Sequence, residues 1–187
     1  QYLIGEELQI VAEDAQGLAG VEPERIPGTL NTIYHIASLT KPLVTALLVV
    51  RLAERGLLDL KAPLADYLSE FDAEEKRKIT LTQLLTHTSG LPNWRPLYLE
   101  AKNRADVPSA IARILLEPQL PDAPRDVIYS DLNYVLLSFA LETITGDRLV
   151  RLAQREVFEP LGLERTMFNP PYELLREIAA TERGQEF

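Results

Sequence analysis

Between Thr32 and Gly56 the side-chain pattern changes period once, and this change constrains the fold more than any other stretch of the chain. Thr32-Ile33-Tyr34-His35-Ile36 carries β-branched and aromatic side chains suited to a strand. After it, Leu39, Leu43, Leu47 and Val50 recur at helical spacing, and Gly56 supplies a C-terminal stop. Pro42 falls within the first turn, where a missing N–H costs little, so a helix is expected from Ser38 or Leu39 to about Glu54.

Ser38-Leu39-Thr40-Lys41 stands at that junction. Seryl oxygen is a poor nucleophile near neutral pH, and chemistry that uses it needs a proton acceptor within hydrogen-bond reach. Lysine one helical turn on shares the serine's helix face and can serve. The positive end of the helix dipole there disfavours the ammonium and favours a developing alkoxide. The spacing proves little by itself, because a capping serine beside a solvated first-turn lysine is the simpler account of these residues alone. Further along, Tyr129-Ser130-Asp131 opens a second helical pattern carrying Leu132, Val135, Leu136 and Phe139, with Ser130 placed to cap it.

Leu8 to Ala12 is strand-like, and Gly17 to Gly28 is a loop rich in Gly, Pro and Glu. Helical patterns are expected near Leu81 to Leu85, at Val107 to Leu116, Asp131 to Thr145 and Arg148 to Val157. Pro118, Pro121 and Pro124 mark an irregular connection before Tyr129. With 187 residues and 46% hydrophobic side chains the chain can bury one sizeable core. No apolar run approaches the roughly 18 residues of a membrane span. A formal charge of −9 argues against nucleic acid and anionic membrane surfaces as partners. Zero cysteines removes disulfide and thiol chemistry and leaves the compartment, cytoplasmic or periplasmic, open. No HExxH, paired-cysteine or clustered-aspartate pattern suggests a metal, and no Gly-rich phosphate loop appears, so no cofactor is expected. His87 invites assignment as a triad base, but Thr86-His87-Thr88-Ser89-Gly90-Leu91-Pro92 reads as a turn whose side chains bond backbone groups. His35 lies in the strand-like run and is discounted in the same way.

Four segments in order carry a resemblance: Ile36-Ala37-Ser38-Leu39-Thr40-Lys41, Leu84-Leu85-Thr86-His87-Thr88-Ser89-Gly90-Leu91-Pro92, Tyr129-Ser130-Asp131-Leu132-Asn133-Tyr134, and Val157-Phe158-Glu159-Pro160-Leu161-Gly162-Leu163. Together they resemble the serine β-lactamase and penicillin-binding-protein-like family, on its class C β-lactamase and esterase branch. The likeness runs from about Thr32 to about Pro171. It implies that Ser38 is an acylated nucleophile, Lys41 its proton partner and Tyr129 a second base or proton shuttle. A tyrosine serves that role when a nearby ammonium favours its phenolate, and two such coupled groups titrate as a pair. Asp131, expected to contact substrate, departs from the asparagine more usual there. An ionised aspartate only accepts hydrogen bonds; it would hold Lys41 protonated and repel acidic substrates, which favours neutral esters or amides.

The resemblance implies a β-lactamase/transpeptidase-like α+β fold. Residues 1–37 would form the first strands of an antiparallel sheet, and residues 38–187 a mostly helical lobe carrying both motifs. A third motif, Lys/His-Thr/Ser-Gly or His-x-Gly on a later strand, has no counterpart before Phe187, and Gln1 stands where a native N-terminus would have methionine. The chain is therefore expected to be a piece of a longer protein. Its Leu8–Ala12 and Thr32–Ile36 strands would have open edges through which copies could associate. Loss of one oxyanion donor costs about two to three orders of magnitude, so the chain alone should be nearly inactive. The implied function is acyl-enzyme formation with small ester, amide or peptide substrates. The alternative, from a different class, is a non-catalytic penicillin-binding-like sensor or peptide-binding module.

Overall fold

Residues 1–73, 76–114 and 126–181 are described by a computed structural model. The chain divides into two compact units, Gln1–Ser38 with the segment from Leu163 onward, and Leu39–Gly162. The segment after Leu163, which the sequence pattern placed with the helices, thus groups with the N-terminal strands.

In the first unit, β1 (Tyr2–Glu6) and β2 (Gln9–Asp14) form an antiparallel hairpin with Tyr2 opposite Asp14 and Glu6 opposite Gln9. Its turn is Glu7-Leu8, with φ of 46° and 66°. Two consecutive left-handed residues give the turn a twist that matches the strands. Leu8, expected to begin a strand, is instead the exposed tip, and β1 has no counterpart in the sequence expectation. β2 is paired with β1 along one edge, and its other edge has no partner strand among the described residues. β3 (Leu18–Gly20) pairs antiparallel with β4 (Ile26–Pro27).

Thr32–Ile36 is not a strand. It makes one parallel bridge, in which Ile33 N–H donates to Glu177 O at 2.8 Å and Ala179 N–H donates to Ile33 O at 2.8 Å. Side-chain type makes the segment extended, but a ladder also requires a partner of equal length. Here the partner is a short extended piece that follows a 3-10 turn at Tyr172–Glu177.

The expected single helix from Ser38 is three backbone geometries in succession. A 3-10 turn covers Ala37–Leu39, a wider π-helical stretch covers Lys41–Ala46, and regular α1 covers Leu47–Glu54. Pro42 explains the widening: it donates no hydrogen bond, and its ring crowds the carbonyl four residues earlier, which disfavours the α ladder. α1 ends as the sequence suggests. Gly56, at φ 70°, donates to Ala53 O and Leu57 donates to Leu52 O, both at 3.0 Å, which is a Schellman stop. Val44, Leu48, Val49 and Leu52 are buried, whereas Leu39, Leu43, Leu47 and Val50, the stripe that announces the helix in the sequence, stay exposed.

α2 (Leu81–Leu85) starts on a reciprocal capping box between Thr80 and Gln83, and α3 covers Leu97–Glu100. α4 (Val107–Arg113) stops at an extended Ile114, so its expected continuation to Leu116 fails at that residue. Leu116 itself, with Pro118, Pro121 and Pro124, lies outside the described residues. α5 (Asp131–Thr145) closes on Gly146 at φ 67°, and α6 (Leu149–Ala153) widens into a π-helical turn at Gln154–Phe158. Glu142 joins these pieces, accepting from Arg104 and from the Leu149 N–H at 2.8 Å each. The core lies around α5, whose Leu132, Leu136, Leu137 and Leu141 are buried together with Leu48 of α1, Leu81 and Leu84 of α2, and Phe71. Helices α1, α2, α4 and α6 all pack on α5.

Candidate active site

The start of α5 is shaped by the loop that follows α2. Ser130 has the extended backbone of a capping residue, with φ −140°, but its hydroxyl does not cap the helix. It donates instead to Pro92 O at 2.6 Å, and Asp131 N–H donates to Asn93 O at 2.9 Å. The expected capping role of Ser130 is thus held by its backbone only. Ile128 N–H donates to His87 O at 2.9 Å. Three bonds from residues 128, 130 and 131 to residues 87, 92 and 93 hold Tyr129 in a defined place at the helix start.

Lys41 reaches this place from the π-helical stretch. Its Nζ lies 2.7 Å from Asp131 Oδ1 and 5.1 Å from the centroid of the Tyr129 ring. The lysine side chain is 15% exposed and the aspartate 43%, so the pair sits at the rim of the core rather than within it. Burial works against the ammonium, but hydrogen bonds to Asp131 and Tyr129 outweigh it and raise the lysine above its ordinary pKa. Lys41 is therefore charged at neutral pH. Ser38 ends the other unit, exposed in its 3-10 turn and three residues ahead of Lys41 in the chain.

His87 stands behind Tyr129. Its ring centroid is 4.6 Å from that of Tyr129 and 5.2 Å from that of Tyr134. Nδ1 accepts the Ser130 N–H at 3.1 Å and lies 3.2 Å from Asn133 Nδ2. Both are donors, so Nδ1 carries a lone pair and the ring proton is on Nε2. Burial first, and then the charge of Lys41, lower the His87 pKa, while Asp131 acts in the opposite direction. The lone pair that a general base would use is already occupied. Ser89 Oγ donates to Asn133 Oδ1 at 2.6 Å and accepts the Leu91 N–H at 3.1 Å, with both side chains buried. Asn133 and Ser89 were not singled out from the sequence. Their signal there is weak: one amide on an apolar helix face, and one hydroxyl inside a turn motif.

The beta-lactamase family profile matches residues 3–186. A protein of Escherichia coli O157:H7 named "Putative D-alanyl-D-alanine carboxypeptidase" is 32% identical over 202 residues, covering 96% of this chain and 46% of its own length. Among solved structures, FmtA from Staphylococcus aureus aligns with a TM-score of 0.79 at 26% identity, over 91% of this chain and 47% of its own. A class C beta lactamase from Rhodobacter sphaeroides aligns with a TM-score of 0.69 at 28% identity, over 88% and 44%. The chain spans about half the length of the curated relatives it matches. The expected β-lactamase/transpeptidase-like fold is thereby established.

Proposed function

This chain belongs to the beta-lactamase family, and from that premise we propose that it carries the nucleophile and proton-transfer groups of a serine hydrolase working through an acyl-enzyme on Ser38. The observation that carries the proposal is the meeting of Lys41, Tyr129 and Asp131 at the start of α5, with Nζ 2.7 Å from the carboxylate. Ser38 Oγ attacks an ester or amide carbonyl, and the bond to the leaving oxygen or nitrogen breaks. The seryl proton passes through Tyr129 and Lys41 to the leaving group, and water then cleaves the acyl ester and restores Ser38. In this scheme the Lys41 ammonium favours a phenolate on Tyr129, which takes the seryl proton.

The names of the relatives support a peptide ending in D-alanyl-D-alanine as one substrate class. Such a terminus is anionic, and Asp131 opposes it. Pairing with Lys41 makes the local net charge close to zero, which weakens that opposition without reversing the preference for neutral esters and amides. Asp131→Asn isolates the effect. Without the carboxylate, burial counts for more at Lys41 and its pKa should fall, so the ammonium that supports Tyr129 is lost at a lower pH and the alkaline decline of the acylation rate should begin earlier. Reaction with a carboxylate-bearing penicillin should improve about two- to fivefold relative to a neutral ester, the scale of a partly exposed charge interaction. An unchanged ratio and pH profile would mean that Asp131 has no part in substrate choice.

The direct test exposes the full-length protein to a fluorophosphonate and, separately, to a labelled penicillin, then locates the adduct by intact mass and peptide mapping. One adduct, on Ser38, is expected with at least one reagent: a lasting phosphonyl ester from the fluorophosphonate, formed as fluoride leaves, or an acyl ester from the penicillin that water then removes. A penicillin acyl ester that is never hydrolysed would favour the sensor alternative. No adduct with either reagent would remove the catalytic assignment of Ser38.

A further inference from the structure

We infer that His87 is the positioning residue for Tyr129, acting through a neutral imidazole whose Nδ1 must remain an acceptor. The inference rests on the proton-transfer role proposed above for Tyr129. That tyrosine is 46% exposed, so packing alone leaves its ring poorly fixed. His87 brackets it from both sides along the chain. The His87 carbonyl accepts from Ile128, the residue before Tyr129, and its Nδ1 accepts from Ser130, the residue after. The imidazole then lies against the tyrosine ring at 4.6 Å with a 38° tilt.

The acceptor state is enforced by a second contact. Ser89 Oγ bonds Asn133 Oδ1, which turns the amide so that Nδ2 faces His87. An imidazolium would direct an N–H at two donors, the Ser130 main chain and the Asn133 amide, and both bonds would be lost. The charged groups facing the ring are the Lys41 ammonium and the Asp131 carboxylate, with the phenols of Tyr129 and Tyr134 beside it. Burial and Lys41 hold the His87 pKa below the ordinary 6.5. The bracket is therefore fully present above about pH 6.5 and is lost as pH falls through the lower, folded-state value. This gives the reaction an acid limb that belongs to neither Lys41 nor Tyr129.

His87 has φ 57°, a left-handed conformation that asparagine tolerates better than most residues. His87→Asn places Oδ1 close to where Nδ1 stood, so it keeps an acceptor and removes the titration. His87→Phe keeps a ring against Tyr129 and leaves both donors without an acceptor. In the full-length protein, fluorophosphonate labelling is followed between about pH 5 and 9. His87→Asn should stay within about threefold of wild type in maximal labelling rate and lose the acid limb, whereas His87→Phe should fall about ten- to a hundredfold with its half-saturating reagent concentration little changed. Equal losses in the two variants, or an acid limb that survives in His87→Asn, would overturn the inference. Nitrogen-15 spectra of the histidine rings, assigned by difference against His87→Asn, provide a readout that does not depend on activity. Protonated Nε2, bare Nδ1 and a depressed titration are expected, and a proton on Nδ1 or an ordinary titration would overturn the bracket. A wild type that takes no label would instead sink the hydrolase proposal and the reaction His87 is held to serve, while the spectra would still decide the tautomer.

Discussion

Lys41→Met in the full-length protein is expected to slow acylation of Ser38 by about a thousandfold, within the range a positioned proton-transfer group supplies. Methionine keeps a long apolar stem in the same partly buried position and removes the charge with its hydrogen bonds. Asp131 then loses its partner at 2.7 Å, but its side chain is 43% exposed and water can replace the ammonium. The folding cost should therefore be about 1 kcal/mol or less, and a thermal melt checks that the loss of rate is not a loss of fold. The upward shift of the lysine pKa bears on how the loss arises. A lysine held charged cannot begin the reaction by taking the seryl proton. In the proposed scheme its first service is electrostatic, keeping Tyr129 able to accept. Tyr129→Phe should consequently resemble Lys41→Met, and the double variant should cost little more than either alone, because groups acting as one unit are not additive. Loss of less than about tenfold in Lys41→Met would reduce the lysine to a counter-ion for Asp131.

What the sequence made legible depends on how local each signal is. α2 and α5 were readable because their ends are written next to them, in the Thr80–Gln83 capping box and in Gly146. Gly56 closed α1 for the same reason. Ser38, Lys41 and Tyr129 stand in short motifs whose roles belong to the proposal, and the nearness of Lys41 to Tyr129 is what the structure adds. The buried face of the helical segment after Ser38 was not readable. Leu39, Leu43, Leu47 and Val50 form one apolar stripe, while Val44, Leu48 and Leu52 form another, and periodicity alone cannot choose between them. The hairpin turn was missed because Glu7-Leu8 lacks the Gly or Asn that usually marks two left-handed residues. Thr32–Ile36 was overread, since β propensity describes a side chain's fit to a sheet and not the presence of a neighbouring strand. The contacts of His87 with Ser130 and Asn133 join residues more than forty positions apart, and no local pattern encodes them.

Leu136→Ala should destabilise the helical unit by about 2–5 kcal/mol, the cost of deleting a large aliphatic side chain from a core that cannot fully collapse around the gap. Leu136 is fully buried on α5, the helix on which α1, α2, α4 and α6 all pack, so little of its surroundings can move inward without disturbing several elements together. A urea titration of the full-length protein should show a lower midpoint for the transition of this unit, with an unchanged slope. The same variant separates fold from chemistry. Asp131 is the first residue of α5, and its N–H, bonded to Asn93 O, ties the start of that helix to the loop after α2. If α5 moves as a rigid body, the molecules that remain folded should acylate at the wild-type rate, and total activity should follow the folded fraction. If the rate per folded molecule also drops, the packing at Leu136 is setting the position of Asp131 relative to Lys41, and the site extends five residues further into the core than its polar groups indicate.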